Sequence, residues 1–93
     1  MKKKVIVNER EVAMDWGSHG LIIYINGKIH ISINADDFQG MQSWKDIKPG
    51  EEIYAIEFYL DSGPVLCEYP GDRELWEKIL DLLIEPVGVW LGI

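Results

Sequence analysis

Along most of the chain apolar and polar positions alternate with a period of two, and after Pro70-Gly71 the period lengthens to 3.6. The pattern predicts strands followed by a helix. The sharpest local signal is Asn26-Gly27 between LIIYI and KIHISI. Both central residues of a type I′ turn need positive φ, which Asn-Gly tolerates best, so a two-residue hairpin is expected there. In its simplest register Tyr24 faces Ile29 and Ile22 faces Ile31, and these four form the expected core side. The other side mixes Ile25, Ile23 and Leu21 with Lys28, His30 and Ser32.

A second hairpin follows from EEIYAIEFYL, the turn Asp61-Ser62-Gly63-Pro64, and VLCEY. Here Tyr54, Ile56, Phe58 and Leu60 share one face, opposite Ile53, Ala55, Glu57 and Tyr59. Near the start, KVIVN and REVAMDW read as one or two further strands about Asn8-Glu9. Between the hairpins, NADDFQGMQSW reads as a connecting segment with a short helix capped by Asn34 or Asp36 and interrupted at Gly40.

The helix is expected over about 72–85, with Leu75, Trp76, Ile79, Leu80 and Leu83 as its apolar stripe and Trp76 as its most deeply buried member. Asp72 and Glu74 complement the dipole of its first turn, and Pro86 is expected to end it. The tail VGVWLGI carries no charge and alternates, so it reads as a final strand. Such a strand must be covered, either by the VIV strand of its own sheet or by a second copy in a two-fold dimer. The expected fold is one α+β domain over 1–93: a mainly antiparallel sheet of five to six strands, one helix packed on it, and a C-terminal strand.

Charge changes the picture by separating the two halves. Residues 1–46 hold six basic and six acidic side chains, whereas 47–93 hold three basic and ten acidic, so the second half carries the whole net charge of −7. That field disfavours nucleic acid and anionic membranes as partners and favours a basic protein. Lys2-Lys3-Lys4 is too short to reverse this and reads as a solvated chain start. The single cysteine, Cys67, allows no disulfide within the chain and, with no apolar leader segment, points to the cytoplasm. No apolar run is long enough for a membrane span.

The polar cluster DWGSHG invites a catalytic reading, with Asp15, Ser18 and His19 as acid, nucleophile and base. A nucleophile elbow, however, requires Gly-x-Ser-x-Gly between a strand and a helix, and here Trp16 holds the first glycine position and a strand follows. Adjacent Ser18 and His19 also point apart in an extended segment. A turn accounts for all six residues. His19 and His30 lack metal-ligand spacing with Asp15, Asp36 or Asp37, and Cys67 has no neighbouring base to activate it. No catalytic residue, metal or cofactor is expected.

Four tryptophans, four tyrosines and two phenylalanines exceed what a core of this size hides. The interaction candidates are accordingly Trp44, Trp90, Tyr59, Glu57 and Glu68. These features point to a small acidic, self-associating interaction module that masks a basic partner, as an inhibitor or immunity-type protein does. The alternative is a small-molecule or peptide-binding domain built on aromatics near the 21–33 hairpin, and an enzyme about Asp15, Ser18 and His19 ranks behind both.

Overall fold

The computed structural model describes residues 1–92. Seven strands form two antiparallel sheets. The first contains β1 (Lys2–Val7), β2 (Arg10–Gly17), β3 (Gly20–Ile25) and β4 (Lys28–Asn34), and the second β5 (Phe38–Lys48), β6 (Glu51–Leu60) and β7 (Val65–Pro70), each in chain order. One helix, α1 (Arg73–Leu91), follows and lies against β1 and β2 of one sheet and β6 and β7 of the other. The fold is thus α+β, as expected, with seven strands in two sheets instead of five or six in one.

The local chemistry of each turn explains the meander. Asn26 and Gly27 have φ of 50° and 80°, the pair of left-handed residues that a type I′ turn demands. Asn8 and Glu9 make the β1–β2 turn in the same way at 49° and 66°, although Glu9 carries a Cβ. At the mouth of the β2–β3 turn, a Cβ on Gly20 would meet the Ile33 carbonyl oxygen at 2.2 Å, so β3 and β4 approach there only because the residue is glycine.

Both sheets and the helix share one core. From the first sheet come Val12, Met14, Trp16, Leu21, Ile23, Ile31 and Ile33, from the second Tyr54, Ile56, Phe58 and Tyr69, and from the helix Leu75, Ile79, Leu82 and Leu83. On β3 the core side is therefore Leu21 and Ile23, the reverse of the expected Ile22 and Tyr24, whereas on β4 Ile31 lies in the core as expected, with Ile33 in place of Ile29. Tyr24 still faces Ile29, but Ile23 now faces Ile31, because the register shifts between Ile23 and Tyr24 and leaves His30 as the extra residue. A bulge of one residue transfers every later side chain of a strand to the other face. The face expected inside leaves Ile29 64% exposed.

The tail is helical and not a final strand; its last residue, Ile93, lies outside the described residues. Asp72 caps the helix, its carboxylate accepting from Leu75 N–H at 3.3 Å, and Gly92 closes it at φ 69°. Pro86 sits within the helix and is fully buried, with Val87 and Trp90 packed behind it on the core. Burial of those groups outweighs the hydrogen bond that proline removes. Two ion pairs clamp the helix to the first sheet, Lys3 to Glu85 at 2.6 Å and Arg10 to Asp72.

Between the sheets only Ala35–Asp37 form a single 3-10 turn, Asn34 makes no side-chain cap, and the remainder of the expected connecting segment is β5. The Asp37 carboxylate accepts instead from the Ser62 amide and hydroxyl, at 2.9 and 2.6 Å, which ties this turn to the β6–β7 loop. No helix among the described residues is long and apolar enough to cross a membrane.

Candidate functional site

Cross-strand partners share a face, so the register of the second sheet assigns its outward surface directly. Trp44, Ala55 and Glu68 form one row across the three strands, and Gln42, Glu57 and Leu66 form the next. Tyr59, Ile53, Asp46, Lys48 and Glu51 extend these rows toward the two ends. Four of the five interaction candidates, Trp44, Tyr59, Glu57 and Glu68, thus fall on one face, although they are scattered over three strands in sequence. Ala55 is 1% exposed yet stands apart from the core cluster, buried on this face in the row between Trp44 and Glu68.

The face interleaves exposed apolar and aromatic side chains with carboxylates, and Glu57 on the central strand lies between the rows of Tyr59 and Trp44. Trp44, Tyr59 and Leu66 are 37%, 39% and 48% exposed. Glu57 is held in place by Gln42, whose Nε2 donates to it at 3.1 Å. The Glu57 carboxylate holds the Tyr59 phenol above its ordinary pKa, with burial adding to the effect. Asp46 pairs with Lys48 at 3.3 Å, and Lys48 is the one basic residue of these rows. Among the described residues no Lys or Arg lies within ion-pair distance of Glu51, Glu57 or Glu68. Three carboxylates therefore stand among the exposed aromatic and apolar side chains of this face with no ion-pair partner among the described residues.

Trp90 does not join this face. Its Nε1 donates to the Gly17 carbonyl of the first sheet at 3.0 Å and its ring meets Phe38 of the second sheet edge-on at 5.6 Å, so it fastens the helix end to both sheets. Trp76 is half-buried, donating to the Ala55 carbonyl at 2.9 Å beside the Tyr54 ring. It bridges helix and sheet at the margin of the core, not at its centre.

The DWGSHG segment is the end of β2, a two-residue turn at Ser18-His19, and the start of β3. No side-chain hydrogen bond among the described residues joins Asp15, Ser18 and His19, and His19 contributes only its backbone carbonyl, to Ala35 N–H at 2.8 Å. The segment does help to line a shallow cavity of about 400 Å³ with Asp15, His19, Ser32 and Asn34 on its rim. A neighbouring depression collects Asp36, Asp37 and Asp61, but no group of His, Cys, Asp and Glu among the described residues has metal-binding geometry.

Sequence reasoning did not anticipate the cluster of His30, Cys67 and Tyr69. The Tyr69 hydroxyl lies 2.7 Å from His30 Nε2, its ring is 4% exposed, and burial drives its pKa far upward. Burial also raises the Cys67 thiol and lowers the His30 imidazole. A thiol held protonated is a poor nucleophile, so the cluster serves as packing and a cross-sheet tie. The bulge at His30, which stays exposed while its Nε2 reaches the Tyr69 hydroxyl, left no mark in the pattern of the sequence.

Comparison with family models, with curated proteins and with solved structures finds no match, so the functional reading rests on the geometry of the chain itself.

Proposed function

We propose that the protein is a small acidic interaction module of the cytoplasm that masks a basic protein partner with the outward face of β5, β6 and β7. One observation carries the reading: Trp44, Tyr59 and Leu66 are exposed on one face together with Glu57 at its middle and Glu51 and Glu68 along it, and among the described residues no Lys or Arg pairs with these carboxylates. Exposed aromatic anchors match the anatomy of protein interfaces, in which a few aromatics buried on binding supply most of the affinity. The unpaired carboxylates steer a cationic partner and reject anionic ones. The free, half-buried Cys67 fits a reducing compartment.

The test is affinity capture from the native cell with wild type, Trp44→Ala, and the double variant Glu57→Lys/Glu68→Lys, each confirmed as folded by circular dichroism. A basic protein retained by wild type at low salt, released as salt rises and lost by both variants supports the reading. Equal capture by all three, or a captured protein that is acidic, removes it.

A second reading, that the chain binds a small molecule, draws on the cavity of about 400 Å³ rimmed by Asp15, His19, Ser32 and Asn34 beside the 21–33 hairpin. Its mixed lining, apolar from Trp16, Leu21 and Ile33 with the four polar side chains at the rim, and its open shape suit a small ligand with both apolar and hydrogen-bonding groups. His19→Ala would abolish ligand binding under this reading and leave capture of the basic protein unchanged under the first.

A further inference from the structure

The second sheet has an open edge along β5. Antiparallel strands alternate the direction of their backbone groups, and the Gly71 N–H bonded to the Glu52 carbonyl at 2.7 Å fixes the phase. Residues 52, 54, 56 and 58 of β6 bond β7, which leaves Ile53, Ala55 and Glu57 to bond Asp46, Trp44 and Gln42 of β5. The N–H and C=O groups of Met41, Ser43, Lys45 and Ile47 therefore point away from the sheet. Residues 42–48 are all exposed, and β5 pairs only with β6 among the described residues. No proline or bulge interrupts the edge between Gly40 and Lys48, whereas the opposite edge, β7, ends in Pro70.

We infer that this edge pairs antiparallel with the same edge of a second copy of the chain, about a two-fold axis that sets Trp44 against the partner's Trp44. The side chains select the register. An axis at Lys45 opposes two ammonium groups, and an axis at Asp46 opposes two carboxylates. One at Ser43 runs the pairing into the bulge at Gln39 and leaves Ile47 facing that glutamine, and one at Ile47 leaves only the three residues 46–48 to pair before the turn at Pro49-Gly50. With the axis at Trp44 no like charges meet. Ser43 bonds the partner's Lys45 through the backbone, and Met41 likewise bonds the partner's Ile47, which matches the free groups of both edges. Ile47, 58% exposed in the single chain, gains an apolar neighbour, and the two indoles meet at the axis in a non-hydrogen-bonded pair, the site where cross-strand side chains lie closest. The result is one six-stranded sheet with a doubled acidic outward face, built isologously.

This inference goes beyond the proposed function and is tested on the isolated protein, so either can fail alone. Sedimentation of the wild type at high micromolar concentration is expected to show twice the monomer mass. Ser43→Pro removes an N–H that serves only the open edge, so it is expected to remain folded by circular dichroism and sediment as a monomer. In a Cys67→Ser background, Trp44→Cys is expected to form an intermolecular disulfide under mild oxidation, because paired Cα atoms about 4.5 Å apart are within disulfide reach. Ser43→Cys, which faces the partner's Lys45, is expected to crosslink at least tenfold more slowly. A wild type that stays monomeric overturns the inference, as does a dimer that persists in folded Ser43→Pro or crosslinks faster through position 43 than through 44. Should Ser43→Pro unfold, the two crosslinking rates decide.

Discussion

His30 on β4 and Tyr69 on β7 are joined at 2.7 Å, and no other side-chain hydrogen bond among the described residues links a strand of one sheet to a strand of the other. The phenol is buried while the imidazole keeps one flank in solvent, so the bond is sheltered from one side only. Tyr69→Phe is expected to cost about 1 kcal/mol, the net worth of one intramolecular hydrogen bond. Urea denaturation of the single variants and of Tyr69→Phe with His30→Phe should give less than the sum of the separate losses. Strict additivity would mean that the two residues do not act as a pair.

The same contact predicts a pH dependence. Partial desolvation lowers the His30 pKa below its unfolded value, so the unfolded chain takes up the proton first. The contribution of His30 is complete above the ordinary histidine range and is lost as pH falls below it. Cys67 and Tyr69, the titratable neighbours on β7, both remain protonated across this window because burial raises them. Thermal melts between neutral and mildly acidic pH should fall for wild type and fall less for His30→Gln. Parallel slopes would remove His30 as the cause.

Glu9 occupies a left-handed position, φ 66°, without the freedom of glycine. Replacing it with glycine relieves a Cβ clash at the cost of some unfolded-state entropy, so Glu9→Gly is expected to raise stability by about 0.5 to 1 kcal/mol. At Gly27, φ 80°, a β-branched residue meets the opposite situation, and Gly27→Val should destabilise by about 1 kcal/mol or more. Equal melting temperatures for wild type and both variants would contradict the turn geometry.

Trp90 combines an edge-on ring contact with a bond to the Gly17 carbonyl. Full truncation of a buried Trp costs about 3 to 5 kcal/mol, and Trp90 is half-buried, so about 2 kcal/mol is expected for Trp90→Ala. Trp90→Phe keeps the ring contact and should recover about half of that loss. A neutral Trp90→Ala would return this residue to the list of surface candidates.

The sequence announces those elements whose local chemistry and tertiary role agree. Asn26-Gly27, the alternation of Tyr54, Ile56 and Phe58, and the stripe from Leu75 to Leu83 are all found where the pattern places them. Three features escape it, each for a physical reason. The bulge at His30 inverts a face without altering composition, and the buried packing of Pro86, Val87 and Trp90 carries the helix past a residue that ends most helices. Strand β5 is solvated on both faces over residues 42–48, so no alternation marks it. The candidate face was half legible: aromatic excess and acidic charge select Trp44, Tyr59, Glu57 and Glu68, but only the pairing of three strands brings them together.

The clamps from Lys3 to Glu85 and from Arg10 to Asp72 join positions 82 and 62 residues apart, and they bear on how the molecule comes to be made. Each hairpin closes through contacts local in sequence and can form as soon as it emerges from the ribosome. The helix that completes the shared core with Leu75, Ile79, Leu82 and Leu83 is synthesised after all seven strands. Until residues 73–91 emerge, the nascent chain holds two half-built sheets with their greasy sides uncovered, and the open edge of β5 is already available. Synthesis is therefore the interval in which this protein most needs a chaperone, and slowing translation ahead of codon 73 should lower its soluble yield more than slowing it after codon 91.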